Sequence, residues 1–109
     1  MRNIAEAKET LAARLSEINA LEAAGEDERA TVALDQQAIG RLARMDLLQR
    51  QQMAKETQRT RQLERARIEA ALRRIDEDEY GWCAECGAEI SERRLSVDPT
   101  AHLCVDCAA

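Results

Sequence analysis

Aromatic residues are nearly absent from this sequence. It contains one Trp, one Tyr and no Phe in 109 residues. Twenty of its residues are Ala, and only 23 are Leu, Ile, Val or Met. A compact domain of this length needs bulky side chains to bury enough surface. The shortage argues against a β-sandwich, a β-barrel or a dinucleotide-binding α/β domain, and it favours long helices that pack along a narrow seam.

Other absences exclude further classes of protein. No apolar run is long enough to cross a membrane, and the first residues lack the apolar stretch of a signal peptide, so we expect a cytoplasmic protein. The 16 basic and 21 acidic residues give a net charge of −5, so direct sequence-specific DNA binding is not expected. One His and no Gly-rich phosphate loop argue against an enzyme.

The first segment predicts an amphipathic helix. Apolar residues recur at three- and four-residue steps, at Ile4, Ala7, Leu11, Leu15, Ile18 and Leu21. Gly25 then predicts a helix end, and Asp27 predicts the cap of a second helix. The alternative turn lies at Asp35–Gly40, so we place the tip of a helical hairpin between residues 25 and 40.

The second segment predicts a much longer helix. Its apolar residues are loosely spaced, at Val32, Ile39, Leu42, Met45, Met53, Leu63, Ala66, Ala70, Leu72 and Ile75. Between 49 and 62 the only large apolar residue is Met53, so this stretch is either exposed or packed through a polar seam of Gln49, Gln52, Glu56 and Thr60. The acidic run 76–79 predicts the helix end, because acids are unfavourable at a helix C-terminus.

Four cysteines carry the strongest motif. Cys83-Ala-Glu-Cys86 and Cys104-Val-Asp-Cys107 are separated by 17 residues, a spacing typical of tetrahedral zinc sites. Gly87 allows the tight turn that follows the first pair. Four thiolates fill every position of one structural Zn²⁺ and leave none for a catalytic water. Iron, two disulfides, or His102 as a replacement ligand stay open as alternatives.

The metal accounts for the small apolar content of residues 80–109. Zinc binding of about 10–16 kcal/mol can supply the folding free energy that this segment lacks. We therefore predict a mainly α protein with two parts, a long antiparallel helical hairpin or coiled coil over 1–79 and a small four-cysteine zinc-finger module over 80–109. Within the module, Asp98-Pro99-Thr100 predicts a turn, and Arg93-Arg94 an exposed basic pair.

Residues 78–107 resemble the DksA/TraR family of C4-type zinc-finger proteins. The resemblance is carried by Asp-Glu-Tyr-Gly-Trp-Cys-Ala-Glu-Cys-Gly-Ala-Glu-Ile at 78–90, Arg-Arg-Leu at 93–95 and Asp-Pro-Thr-Ala-His-Leu-Cys-Val-Asp-Cys at 98–107. It implies a bacterial transcription regulator that binds RNA polymerase. In that family a coiled-coil hairpin enters the secondary channel of the polymerase, and acidic residues at its tip act near the active centre.

The resemblance also indicates which residues would act at the tip. The family's tip motif is Asp-x-x-Asp-x-Ala, which this chain matches only in part, so the candidates are Asp27, Glu28, Ala30 and Asp35. The nucleotide ppGpp is left open as a ligand, because the chain ends two residues after Cys107 and Asp98 stands where some longer members carry a basic residue.

Two other functions compete with the polymerase-binding regulator. A nucleic-acid-binding zinc ribbon is favoured by residues 41–74, which hold ten basic and four acidic residues. A coiled-coil scaffold is favoured by the polar stretch 49–62, which could pair with another chain. We expect a monomer, which would exclude the scaffold.

Overall fold

The chain is mainly helical. The computed structural model describes residues 3–35 and 41–108, and it describes side chains within 3–26 and 43–108. Four helices follow one another in these ranges: α1 (Ile4–Asp35), α2 (Arg41–Asp76), α3 (Glu92–Val97) and α4 (Val105–Ala108). Trp82 and Glu89 form an isolated antiparallel bridge. No strand occurs in the described ranges, so the prediction of a mainly α protein is confirmed.

The predicted helix end at Gly25 is wrong. Helix α1 begins after Asn3, whose side chain accepts the Glu6 N–H at 3.0 Å, and it continues through Gly25 to Asp35. Gly25 is buried, seven residues after the buried Ile18, so it occupies an inward-facing position of the helix. A glycine inside a helix costs about 1 kcal/mol relative to Ala, and the continuous helix on both sides of Gly25 outweighs this cost. Asp27 is therefore no helix cap.

The described chain divides into two compact units. One unit contains residues 1–15 and 65–109, and the other contains residues 16–64. The first unit holds most of the buried apolar side chains, namely Leu11, Ile68, Ala71, Tyr80, Cys83, Ile90, Leu95 and Ala101. Lys8, near the start of α1, pairs there with Asp76 at the end of α2 at 3.9 Å. In an antiparallel hairpin the start of the first helix lies beside the end of the second, and this ion pair joins those two ends.

The second unit packs through a polar seam. Its buried residues on α1 and α2 are Ile18, Gly25 and Leu47. The half-buried positions of α2 in this unit are Gln51, Ala54, Gln58, Arg61 and Glu64. Of the two alternatives for this stretch, a polar seam is present, but the residues predicted to line it are wrong, since Gln49, Gln52, Glu56 and Thr60 are all exposed.

The error in the seam has a physical cause. The apolar pattern predicts Met45, Met53 and Leu63 as seam residues, yet they are 62%, 66% and 55% exposed. The inward positions of α2 recur every seven residues, at Leu47, Ala54, Arg61 and Ile68. Apolar periodicity does not reveal this repeat, because several inward positions carry Gln51, Gln58 and Arg61.

An ion pair lies in the seam of the second unit. Arg61 donates to the Leu21 carbonyl at 3.2 Å and lies 3.9 Å from Glu22 Oε1. The Arg61 side chain is 25% exposed and the Glu22 side chain is 12% exposed. Glu22 Oε1 is buried and has no hydrogen-bond partner in the described part of the chain. The guanidinium of Arg61 is therefore the cation that compensates a carboxylate withdrawn from water.

None of the helices in the described ranges is both long enough and apolar enough to cross a membrane.

The neighbouring Leu47 and Leu48 provide a test of the seam. Leu47 is 5% exposed and Leu48 is 55% exposed. Leu47→Ala should lower the free energy of unfolding by about 2 kcal/mol or more, because it removes a buried side chain from a thin core. Leu48→Ala should change it by less than about 0.5 kcal/mol. Urea unfolding followed by circular dichroism measures both values, and equal losses would contradict the assigned face.

The ion pair provides a second test. Arg61→Ala should destabilise the protein by about 1–2 kcal/mol, because it leaves the Glu22 carboxylate uncompensated in the seam. Arg59→Ala, at an exposed position two residues away, should have a much smaller effect. The double variant Glu22→Leu/Arg61→Leu should recover most of the loss in thermal unfolding. If the double variant is less stable than Arg61→Ala, the pair does not act as described.

Candidate metal centre

The end of α2 directs the chain into the cysteine module. The Asp78 N–H donates to the Ile75 carbonyl at 3.3 Å, and the Glu79 N–H donates to the Arg74 carbonyl at 2.8 Å. Asp78 has a φ of +59°, so the pattern is a Schellman motif with Asp in the place usually taken by Gly. The predicted helix end within the acidic run is confirmed.

Two side chains tie this helix end to the module. The Tyr80 hydroxyl donates to the Pro99 carbonyl at 2.9 Å, and Tyr80 itself is buried. Arg74 donates to the Thr100 carbonyl at 3.1 Å. Burial lowers the pKa of Arg74, and neighbouring Tyr80 opposes this shift. Asp98 accepts the Thr100 N–H at 3.1 Å, which confirms the predicted turn at 98–100.

The first cysteine pair lies in a tight turn. The Cys83 N–H donates to the Ala88 carbonyl at 2.7 Å, and the Gly87 N–H donates to the Cys83 carbonyl at 3.0 Å. Gly87 has a φ of +73°, as expected from its position after the pair, and a side chain there would meet open space. Its role is therefore conformational freedom at positive φ, rather than room for a neighbour.

The second cysteine pair begins helix α4. The Ala108 N–H donates to the Cys104 carbonyl at 2.9 Å, and Ala84 of the first turn donates to the His102 carbonyl at 2.8 Å. Arg94 donates to the Leu103 carbonyl at 3.0 Å and is half-buried, so the prediction of an exposed Arg93–Arg94 pair is wrong for Arg94. These bonds hold the two turns side by side.

Helix α3 connects the two turns. Its N-cap is Ser91, whose hydroxyl accepts the Arg94 N–H at 3.2 Å. Leu95 of this helix is buried. Trp82, Val97 and Val105 are 48%, 82% and 63% exposed. Even the few apolar residues of this segment are thus largely outside its core, which increases its need for another source of stability.

The four sulfurs form one cluster. All four Sγ atoms of Cys83, Cys86, Cys104 and Cys107 lie within 4.8 Å of one another. The Cys86 and Cys104 sulfurs are 3.6 Å apart, and all four cysteines are free thiols. A disulfide needs about 2.05 Å. Tetrahedral Zn–S bonds of about 2.3 Å place sulfurs about 3.8 Å apart, so the cluster fits zinc.

The electrostatics of the cluster also favour a bound cation. Backbone N–H groups, first of Cys86 and then of Cys104, donate to the Cys83 sulfur and lower its pKa to about 6. The neighbouring sulfurs, Cys104 first, raise the pKa of Cys107. For Cys86, the Ala88 N–H lowers the pKa, but the sulfurs of Cys83 and Cys104 outweigh it and raise the pKa. A divalent cation would allow all four to be thiolates at once.

A family of known zinc fingers matches this module. Residues 78–109 match the family described as the prokaryotic dksA/traR C4-type zinc finger. The match runs through both cysteine pairs and the segment between them. Residues 78–109 are therefore similar to a dksA/traR C4-type zinc finger.

Curated relatives match over a short part of the chain. The RNA polymerase-binding transcription factor DksA of Haemophilus influenzae is 54% identical over 41 residues, which are 38% of this chain and 28% of that protein. The factor of the same name from Escherichia coli K12 is 46% identical over 41 residues, again 38% of this chain and 27% of that protein. The match therefore spans little more than a quarter of the length of these relatives.

A solved structure extends the similarity to the helices. Transcription factor DksA2 from Pseudomonas aeruginosa superposes with a TM-score of 0.84, covering 96% of this chain and 79% of that chain. The sequences are 23% identical, so the comparison shows a shared fold. The segment similar to the dksA/traR zinc finger thus follows helices of the same fold as in that structure, and the fold class and the structural zinc expected from the sequence are confirmed.

The structure brings together some of the residues singled out from the sequence and not others. Cys83, Cys86, Cys104 and Cys107 share one site, while the exposed His102 is outside the cluster. The tip candidates Asp27, Glu28, Ala30 and Asp35 lie in α1, and their side chains are outside the described residues.

Sequence reasoning missed the residues that position the zinc finger. Arg74, Tyr80 and Arg94 hold the finger through bonds to backbone carbonyls. No local pattern marks such contacts, because the donor and the acceptor are 9 to 26 residues apart. Only Ser91 carried a usable signal, since a serine followed by Glu92 is typical of a helix start.

Removal of zinc tests the division of the chain. Chelation should unfold residues 80–109, because zinc supplies their stability, while α1 and α2 keep most of the helical signal. These two helices hold 32 and 36 residues, against 6 and 4 in α3 and α4. Far-ultraviolet circular dichroism and limited proteolysis measure the two effects, and restored zinc is the control. Loss of all helicity would contradict separate segments 1–79 and 80–109.

Proposed function

We propose that this protein is a bacterial transcription regulator that binds RNA polymerase directly and uses one zinc ion for structure. The single observation that carries the proposal is the combination of a dksA/traR zinc finger with a long helical hairpin of the DksA2 fold. The curated relatives that match the finger are named RNA polymerase-binding transcription factors. We infer a cytoplasmic location, since the polymerase works there.

The chemistry of the site supports a regulator rather than an enzyme. Four thiolates would complete the tetrahedral shell of zinc, so no open position would remain to activate water or substrate. The zinc instead would fix the finger, and through Arg74 and Tyr80 the finger is bonded to the end of α2. The metal therefore serves to hold the base of the hairpin in one conformation.

We propose Asp35 as the principal acidic effector of the hairpin. Helix α1 continues through Asp27, Glu28 and Ala30 and ends at Asp35, and α2 begins at Arg41. The connection between the helices is therefore at 36–40, which lies outside the described residues. Asp35 is adjacent to that connection in sequence, whereas Asp27 and Glu28 are two turns earlier.

Binding and regulation can be measured separately. Wild-type protein should bind core RNA polymerase in a pull-down and change the lifetime of promoter complexes in transcription assays in vitro. Asp35→Asn should preserve binding and thermal stability but reduce the effect on lifetime at least about fivefold, because it removes a charge beside the connection. Asp27→Asn is the matched control and should retain more than half of the effect. Equal retention by both variants would show that Asp35 is not the effector.

A further inference from the structure

One side of α2 in the second unit is exposed, cationic and partly apolar. Arg44, Leu48, Lys55 and Arg59 follow one another at steps of four, seven and four residues, which places them along one line of the helix. Met45 and Leu63 flank this line. We call these six residues the α2 face: Arg44, Met45, Leu48, Lys55, Arg59 and Leu63.

The apolar members of the α2 face are unusually exposed. Met45, Leu48 and Leu63 are 62%, 55% and 55% exposed, although seam positions of the same helix hold Gln51, Gln58 and Arg61. The helix thus exposes three large apolar side chains although several of its inward positions are polar. Apolar side chains grouped on a surface typically mark a contact with a partner. Met and Arg are among the residues enriched in protein interfaces.

The charge of the α2 face defines its partner. Three cations lie on it, and one acid, Glu56, lies at its border, seven residues before Leu63. The other nearby acid, Asp46, is bonded to Arg50 at 2.8 Å. The chain as a whole has a net charge of −5, whereas residues 41–74 hold ten basic and four acidic residues, so the α2 face belongs to a cationic segment of an acidic protein. An acidic surface would be attracted to this face and repelled by most of the remainder.

We propose that the α2 face is the surface through which the hairpin docks on an acidic, partly apolar protein surface of RNA polymerase. This inference rests on the proposed function and deepens it. A protein surface is favoured over a nucleic acid because phosphates make no use of three exposed Met and Leu side chains, and the α2 face has no aromatic residue on which a base could stack.

Charge-neutral substitutions test the cationic part. Lys55→Gln/Arg59→Gln should weaken binding of fluorescently labelled protein to core polymerase about tenfold at low salt, and it should flatten the salt dependence of binding. Arg67→Gln/Arg93→Gln removes the same charge from exposed positions outside the α2 face and should change affinity less than about twofold. Gln preserves helix propensity, and circular dichroism checks the fold.

Two further variants test the sign of the charge effect and the apolar contribution of the α2 face to binding. Glu56→Gln should strengthen binding about twofold, because it removes the acid at the border of the face. Leu48→Gln should weaken binding about fivefold at all salt concentrations, because the apolar contribution is not screened. Met53→Gln, at an exposed position that is 66% accessible and outside the α2 face, is its control and should bind like wild type.

The outcomes separate this inference from the proposed function. If the wild-type protein does not bind polymerase, the proposed function and the inference are both overturned. If wild type binds and the face variants bind equally well, only the inference is overturned. Loss of oligonucleotide binding with polymerase binding unchanged would assign the face to nucleic acid instead. Loss of self-association in sedimentation with polymerase binding unchanged would assign it to a second copy of the chain.

Discussion

Four thiolates gathered around one divalent cation are the constraint on which the zinc finger depends. The sulfurs are close enough that they disturb one another's protonation, as the raised pKa of Cys107 shows. A divalent cation favours the thiolate form of all four, and its bonds to the sulfurs close both turns. Ile90 and Leu95 alone could not hold these turns together, since they are two of the few buried apolar residues in this segment. The metal replaces a hydrophobic core that this composition cannot supply.

The finger in turn is bonded to the end of α2. Asp78 at positive φ ends α2, and the Tyr80 and Arg74 side chains then reach the Pro99 and Thr100 carbonyls. Each of these bonds satisfies a backbone group in a segment with little regular structure. The helix end is therefore stabilised by the finger, and the finger is positioned by the helix end.

The sequence predicted the parts with local signatures and misplaced those set by tertiary packing. The cysteine spacing, Gly87 and the turn at Asp98 all depend on neighbouring residues, and the structure agrees with each. Gly25 was misread because a local signal for helix termination was outweighed by continuous helix on both sides. The face of α2 was misread because its inward positions carry Gln51 and Arg61, whose burial depends on α1 rather than on hydropathy.

The polar seam gives the second unit an unusual thermal character. Most of the heat capacity gained on unfolding comes from apolar surface newly exposed to water, about 0.45 cal/K/mol per Å². The described side chains of residues 16–26 and 43–64 bury little such surface, since Ile18 and Leu47 are the large buried ones among them. Their stability should consequently vary almost linearly with temperature, without the strong curvature that weakens apolar cores in the cold. A helix pair of this kind loses stability steadily on warming instead of passing through a pronounced maximum.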